Sequence, residues 1–339
     1  MRLLIVLMIT IFVIFAISCG SSESPDASLP TTTPVPSTSD PEEILDLMAS
    51  ADAAAIWPLL DERMRLVFPT VESLAANFWI EVLIELGPPT AAVSQSTGRL
   101  IGLDLYTGVY AFADSDNLAL TVLLDDDRQI ASMSVVPQHE APSNYLDYET
   151  QAQLSLPFSG EWVAVVSGRT AETNAHVGNI DQRFATDFMV MGDERTFRSD
   201  GLTNEDHFCF GQPILSPAAG TVVQTVSNIV DTELGQRNTA EPFGNVVVLD
   251  HGNGEFSVLA HLKNGSLSVE EGDAVDQGQP VGLCGNSGNS AEPHLHYQLQ
   301  DGPVLGGSEG LPAFFNDYSA DGEPVELGEP TRGQEVGNQ

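Results

Sequence analysis

The chain has 339 residues, with 48 acidic side chains against 12 basic ones and a formal net charge of −36. Repulsion from polyanions excludes nucleic acid as a partner for so acidic a chain, in which Lys263 is the only lysine. Its length is enough for two hydrophobic cores.

At the start, Arg2 precedes an unbroken apolar run from Leu3 to Ile17, too short to span a bilayer comfortably and right for a secretory leader. The run ends at Ala16-Ile17-Ser18-Cys19-Gly20, which resembles the lipobox of bacterial lipoproteins, with Ala16 where leucine is usual. That resemblance implies cleavage before Cys19, a lipid on Cys19, and an exported envelope protein anchored to a membrane without spanning it. Residues 20–40 are Ser, Thr, Pro, Asp and Glu with hardly an apolar side chain. Such a segment buries too little surface to fold and is expected to act as a tether.

Residues 41–140 read as a small α+β domain. Asp40 caps a helix with Pro41 in its first turn and Ile44, Leu45, Leu47 and Met48 along it. A second helix is expected from Val71 to Leu86, with Leu74, Phe78, Val82 and Leu86 on one stripe and Gly87-Pro88-Pro89 as its stop. Alternating stretches from Leu118 to Leu124 and from Gln129 to Val135 then predict paired strands. The region resembles the cone-shaped, cystatin-like domain of unknown function that accompanies peptidase domains in some bacterial lipoproteins. It carries no catalytic constellation, so a spacer, dimerisation or wall-contact role is expected.

From Gly160 the pattern changes to short β segments punctuated by Gly, Pro and Asn turns: residues 162–167, 221–226, 245–249, 256–259, 281–283 and 296–299. This predicts a mainly antiparallel β domain over residues 150–305 with a site in a groove. The acidic segment between Asp187 and Gln212 is expected to edge that groove. Residues 306–339 read as an acidic extension whose Leu311-Pro312-Ala313-Phe314-Phe315 packs back on the domain.

The most telling residues are His294-Leu295-His296, after the turn-forming Gly285-Asn286-Ser287-Gly288-Asn289-Ser290. Side chains at i and i+2 of a strand share a face, so both imidazoles look into one groove. Such a pair suits a metal ligand beside a proton carrier. Upstream lie Gly244-Asn245-Val246-Val247-Val248-Leu249-Asp250-His251-Gly252, then Leu259-Ala260-His261-Leu262, then Gly272-Asp273-Ala274-Val275. In order and spacing these motifs resemble the lysostaphin/LytM-type zinc metallopeptidases, which cut peptide cross-links of bacterial cell walls.

The resemblance covers about residues 158–305. It implies that His296 is a zinc ligand and that His294 and His261 are catalytic histidines. The remaining ligands depart from the compact His-x-x-x-Asp pair of that family, because Arg183 stands where its histidine would be. A subgroup with the ligands spread apart resembles Asn174-Ala175-His176 followed by Thr186-Asp187, which assigns His176 and Asp187. His176, Asp187 and His296 would then hold Zn²⁺ through two imidazoles and a carboxylate, with a fourth position open for water. Metal-activated water would attack the peptide, with His261 or His294 moving its proton.

Three histidines fall outside this set. His207 is dismissed as a ligand because Gly211 follows it four residues on, His251 closes a strand and reads as structural, and His139 reads as a surface residue. Cys209 and Cys284 are expected to form a disulfide in an exported protein, across a loop of about 75 residues that contributes a few kcal/mol. Zinc ligation is the rival reading for them. The expected function is a zinc endopeptidase acting on peptidoglycan peptides. The alternative is an inactive binding module that regulates other wall hydrolases. Oligomeric state is not legible.

Overall fold

A computed structural model describes residues 40–76, 78–113, 115–192 and 195–339. The expected leader, Cys19 and all but the last residue of the tether expected over residues 20–40 lie outside the described residues.

Among the described residues five short α-helices come first: α1 (Pro41–Ala49), α2 (Ala53–Ile56), α3 (Glu62–Val67), α4 (Val71–Ala75) and α5 (Phe78–Leu86). α1 begins as expected, with the Asp40 side chain accepting the Glu42 N–H at 3.0 Å and Pro41 in the first turn. The single helix expected over residues 71–86 is two, because Ala76 closes α4 by donating its N–H back to Glu72 O and Leu74 O.

The helices lie on a four-stranded antiparallel sheet, β1 (Ala91–Leu100), β2 (Leu103–Ala111), β3 (Leu118–Leu124) and β4 (Ile130–Pro137), paired in chain order. The last two strands match the alternation in the sequence. β1 escaped notice because its Ser, Gln and Thr side chains are exposed along almost its whole length. The core between the layers holds Ile44, Leu45, Met48, Ile56, Leu120 and Val122.

Thirteen further strands follow: β5 (Glu161–Val166), β6 (Thr186–Met189), β7 (Pro213–Leu215), β8 (Gly220–Val226), β9 (Asn245–Asp250), β10 (Phe256–Leu262), β11 (Ala274–Val275), β12 (Pro280–Leu283), β13 (Leu295–Gln300), β14 (Gly310–Leu311), β15 (Phe315–Ala320), β16 (Glu323–Gly328) and β17 (Glu335–Asn338). Among the described residues eleven of these join one sheet in the order β11-β8-β9-β10-β13-β6-β5-β17-β15-β16, with β14 alongside β13. Every strand pair in it is antiparallel, as the turn-rich pattern predicted. The segment after residue 305 goes beyond an extension packed back on the domain. Its strand β17 pairs with β5, and Phe315, Tyr318 and Val336 enter the main core beside Trp162, Phe188 and Tyr297.

β13 explains why this sheet carries a site. Leu295, Tyr297 and Leu299 point into the apolar core, each burial being worth about 1.5–3 kcal/mol. The period of two then sends His294, His296, Gln298 and Gln300 to the other face.

The N-terminal domain meets the second domain at several points. Ile101 packs on Val163, Val165 and Met189. Ala141 donates its N–H to Val177 O at 2.8 Å. Arg63 on α3 lies 4.2 Å over the Phe197 ring and 3.9 Å from a Glu292 carboxylate oxygen.

Candidate metal centre

Three neighbouring strands and one turn assemble the site. Antiparallel pairing sets His296 on β13 directly opposite Asp187 on β6 and, on the other side, opposite Ala260 on β10. His176 comes from a 3₁₀ turn, Ala175–Gly178, that Asn174 pins down. The Asn174 side chain accepts the His176 N–H at 2.9 Å and donates to Gly168 O and Ala185 O, tying the turn to the start of β6.

Ligand atoms of His176, Asp187 and His296 all lie within 4.8 Å of one another. Asp187 Oδ2 is 2.9 Å from His176 Nε2, and Asp187 Oδ1 is 2.9 Å from His296 Nδ1. Burial alone would raise the Asp187 pKa, but the His176 and His294 imidazoles outweigh it and hold the carboxyl well below its usual range. Burial likewise opposes a charge on His176, and the facing Asp187 carboxylate reverses the sign, so its pKa is raised.

The tautomers follow from the outer contacts. Gln298 Oε1 lies 2.9 Å from His296 Nε2, while the Gln298 Nε2 group donates to Asp181 O and Gln300 Oε1. The amide oxygen must therefore accept from His296 Nε2–H, leaving the His296 Nδ1 lone pair toward Asp187 and His176. Two imidazoles and a carboxylate, with one ring already oriented by an outer hydrogen bond, are a donor set that fits a borderline divalent ion.

His261 and His294 stand beside this cluster. The ring centroids of His261 and His294 are 4.7 Å apart, and His294 Nε2 is 3.8 Å from Asp187 Oδ1. His261 occupies a β-bulge, since three steps along β10 from Leu259 to Leu262 match two along β9 from Val247 to Asn245. Its backbone is left-handed, with φ 58°, a costly conformation for a residue with a Cβ and one that re-aims its side chain near the end of the strand.

Each of these rings has its Nδ1 against a backbone carbonyl, Ser287 O at 2.8 Å for His261 and Glu292 O at 2.9 Å for His294. Carbonyls only accept, so Nδ1 carries the proton and Nε2 is the free base on both rings. Burial pushes both pKa values down, that of His261 most strongly, with the imidazoles of His294 and His296 adding to the effect. Two neutral imidazoles with open Nε2 lone pairs can each take up a proton.

The structure thus brings together all five histidine and aspartate positions singled out in the sequence. Arg183, at the place of the missing histidine, faces away. It is buried and donates to Ala141 O, Arg169 O and the Glu140 carboxylate. His207 is also buried but lies outside the cluster, beside Phe197 and 3.9 Å from Glu292. His251 is structural, bonded to Ala219 O and Ser257 Oγ. His139 is surface-exposed, 3.7 Å from Asp116. Cys209 and Cys284 are buried neighbours, present as thiols with Sγ atoms 3.0 Å apart. Burial and the adjoining Cys209 push the Cys284 thiol pKa well up. Sequence reading gave no individual role to Asn174, Ser287 or Ser290 and passed over Gln298, although the alternation His-Leu-His-Tyr-Gln-Leu-Gln does place Gln298 on the histidine face.

The model of peptidase family M23 matches residues 206–306, a span that holds His261, His294 and His296 but not His176 or Asp187. Peptidoglycan DD-endopeptidase ShyA of Vibrio cholerae is 38% identical over 90 residues, 26% of this chain and 17% of that protein. Murein hydrolase activator EnvC of Escherichia coli is 30% identical over 87 residues, 26% of this chain and 20% of that protein. The chain therefore spans about a fifth of the length of these relatives. The solved catalytic domain of the prophage-encoded M23 protein EnpA from Enterococcus faecalis is 18% identical, with 47% of this chain and 94% of that one covered and a TM-score of 0.30, a score too low to bear on what the site does. Over residues 206–306, then, the chain is similar to peptidase family M23.

Proposed function

We propose that the protein is a zinc-dependent endopeptidase that hydrolyses peptide cross-links of bacterial peptidoglycan. The observation that carries the reading is the convergence of His176, Asp187 and His296 ligand atoms within 4.8 Å, beside two neutral histidines with free Nε2 atoms. The 38% identity to a peptidoglycan DD-endopeptidase across the matched region supports the substrate class.

His176, Asp187 and His296 would hold the zinc ion, which when bound would supply Lewis-acid polarisation of the scissile carbonyl and activation of water at neutral pH. The chain's own residues do the rest. Nε2 of His294 or His261 takes the proton of the attacking water, and the same proton is returned to the leaving amine. Until that proton is passed on, the same Nε2–H can donate to the developing oxyanion, while the second imidazole stays neutral beside it. Ser287 O and Glu292 O occupy Nδ1 of the two rings, which leaves Nε2 of His294 turned toward Asp187.

The test is zinc content of the lipid-free protein beside its His176→Ala and Asp187→Ala variants, followed by hydrolysis of purified peptidoglycan. About one zinc per chain, lost in both variants, with release of new peptide ends is the expected result. Stoichiometric zinc without hydrolysis, or no zinc at all, moves the binding-module reading to first place, for which the identity to a hydrolase activator is the supporting observation.

The same reading places the protein in the cell envelope, with Cys19 lipidated and Cys209 joined to Cys284 as a disulfide in an oxidising compartment. Mass spectrometry of membrane-extracted protein, with and without reductant, checks both.

A further inference from the structure

Residues 227–244, between β8 and β9, run as a strap over the turn at 285–291. Gly235 N–H donates to Ala291 O at 2.7 Å, Asn238 N–H to Gly288 O at 2.8 Å, and Asn289 N–H to Pro242 O at 3.1 Å. The contact is tight enough that a Cβ on Gly244 would come within 2.4 Å of the Ser287 carbonyl, and one on Gly288 within 2.4 Å of Gly244 N. This turn also supplies Ser287 O to His261 and Ser290 Oγ to His294. The strap is therefore held in fixed relation to both histidines.

Arg237 sits in the middle of that strap. It is half-buried, and burial pulls its guanidinium pKa down, with the charges of Glu292 and Asp187 near enough to oppose the shift. Among the described residues its one hydrogen-bond partner is Asn289 Oδ1, 3.5 Å from Nη1, at the limit of such a bond. Its other nitrogens have no protein partner, yet they are not sealed from solvent.

The nearby carboxylates are already engaged. Asp187 is bonded to His176 and His296, and Glu292 is approached by Arg63 and His207, each at 3.9 Å. A partly dehydrated guanidinium with most of its donors unspent is costly unless an anion reaches it. Its planar fork of N–H groups matches a carboxylate in two-pronged geometry.

We propose that Arg237 binds a carboxylate of the substrate peptide, so that the preferred substrate carries a free carboxylate flanking the scissile bond. The assignment rests on the peptidase reading and names the substrate class of the same groove. Two sources share this chemistry, the α-carboxylate of a chain end and the side-chain carboxylate of a flanking acidic residue. The site lies in a chain of net charge −36, so an anionic substrate needs a local cation to approach it.

The experiment compares three versions of one synthetic cross-linked stem peptide: free acid at its end, end amide, and end amide with a flanking Glu. The zinc-loaded protein is measured beside Arg237→Gln and Arg237→Lys, with zinc per chain determined for each. Expected is a preference of about tenfold or more for one carboxylate-bearing peptide over the neutral amide, expressed mainly in KM, in keeping with a charge-assisted bond. Arg237→Gln brings that ratio close to one while retaining zinc, and Arg237→Lys keeps part of it. Whichever acid is preferred identifies the source of the carboxylate.

Equal cleavage of all three peptides by the unmodified protein, a preference that survives Arg237→Gln, or loss of zinc in that variant overturns the assignment. If none is cleaved, the peptidase reading has failed. Equilibrium binding of fluorescent versions of the same peptides then decides about Arg237 alone. Acid-selective binding lost in Arg237→Gln supports carboxylate recognition, and unselective or undetectable binding refutes it.

Discussion

Gln298 accepts the Nε2–H of His296 at 2.9 Å from two residues further along the same strand face. Its amide nitrogen donates to Asp181 O at 3.1 Å and to Gln300 Oε1 at 2.7 Å, and Gln300 donates in turn to Gly302 O at 2.6 Å. The ladder runs down a buried strand face, so each amide has its orientation imposed by the next. Its top rung decides which nitrogen of His296 is offered to a cation.

Replacing Gln298 with Leu removes the acceptor that selects the tautomer and fixes the ring. Losses of this kind weaken metal affinity by about 10–100-fold. Competition for zinc against a chelator of known affinity measures it. Gln298→Glu, which keeps an acceptor at the same place, is expected to lose far less. Equal zinc affinity in the Leu variant would remove the ladder from the account of the site.

The bulge at His261 makes a prediction about backbone rather than side chain. His261→Ala and His261→Gly both remove the imidazole, and both are expected to abolish hydrolysis while keeping zinc. With φ at 58°, the Gly variant should be the more stable of the two by about 1 kcal/mol, because only the Ala variant keeps a Cβ in the left-handed region. Chemical denaturation of the pair checks it, and a less stable Gly variant contradicts the strained geometry.

Arg183 ties the connector between the two layers to the turn that carries His176. It donates to Ala141 O at 3.0 Å, to Arg169 O at 2.8 Å and to Glu140 at 3.1 Å. Removing it as Arg183→Met strands two carbonyls and a partly exposed carboxylate, at a cost of about 2–3 kcal/mol. Because Ala141 also bonds to Val177 beside His176, zinc affinity should fall together with stability. Unchanged zinc affinity in a destabilised variant would confine Arg183 to a structural role.

Stability is expected to fall on mild acidification. Burial lowers the pKa of His207 and His251 below the ordinary value near 6.5. Each ring is held neutral in the fold while the unfolded chain takes up a proton below about pH 6.5. Their stabilisation is therefore present above that pH and is lost as pH drops through the depressed folded values. Acid also relieves the repulsion within a chain of charge −36, so the informative comparison is between variants at the same pH. Neither ring nitrogen of His207 has a hydrogen-bond partner. His207→Leu should thus gain about 1 kcal/mol at pH 5.5 and show a shallower pH slope between 7.5 and 5. A melting-temperature series on both proteins tests this, and parallel slopes would refute it.

What the sequence determined by itself is the chemistry carried by local pattern. The period of two in His-Leu-His-Tyr-Gln-Leu-Gln sets two imidazoles on one strand face, and the turn-rich spacing after Gly160 dictates short antiparallel strands. Asp40 and Pro41 start a helix through contacts spanning a few residues. What only the tertiary structure decided depends on pairs far apart in the chain. Asp187 and His296 become neighbours through strand register. His261 reaches them through a bulge that no local preference announces. Residues 306–339 lend their strands to the sheet because Val336 and Phe315 complete a core begun at Trp162. Arg183 and Arg237, alike as sequence, part company for the same reason: one is met by two carbonyls and the Glu140 carboxylate, and the other has a single long contact, to Asn289 in the turn that also holds His261.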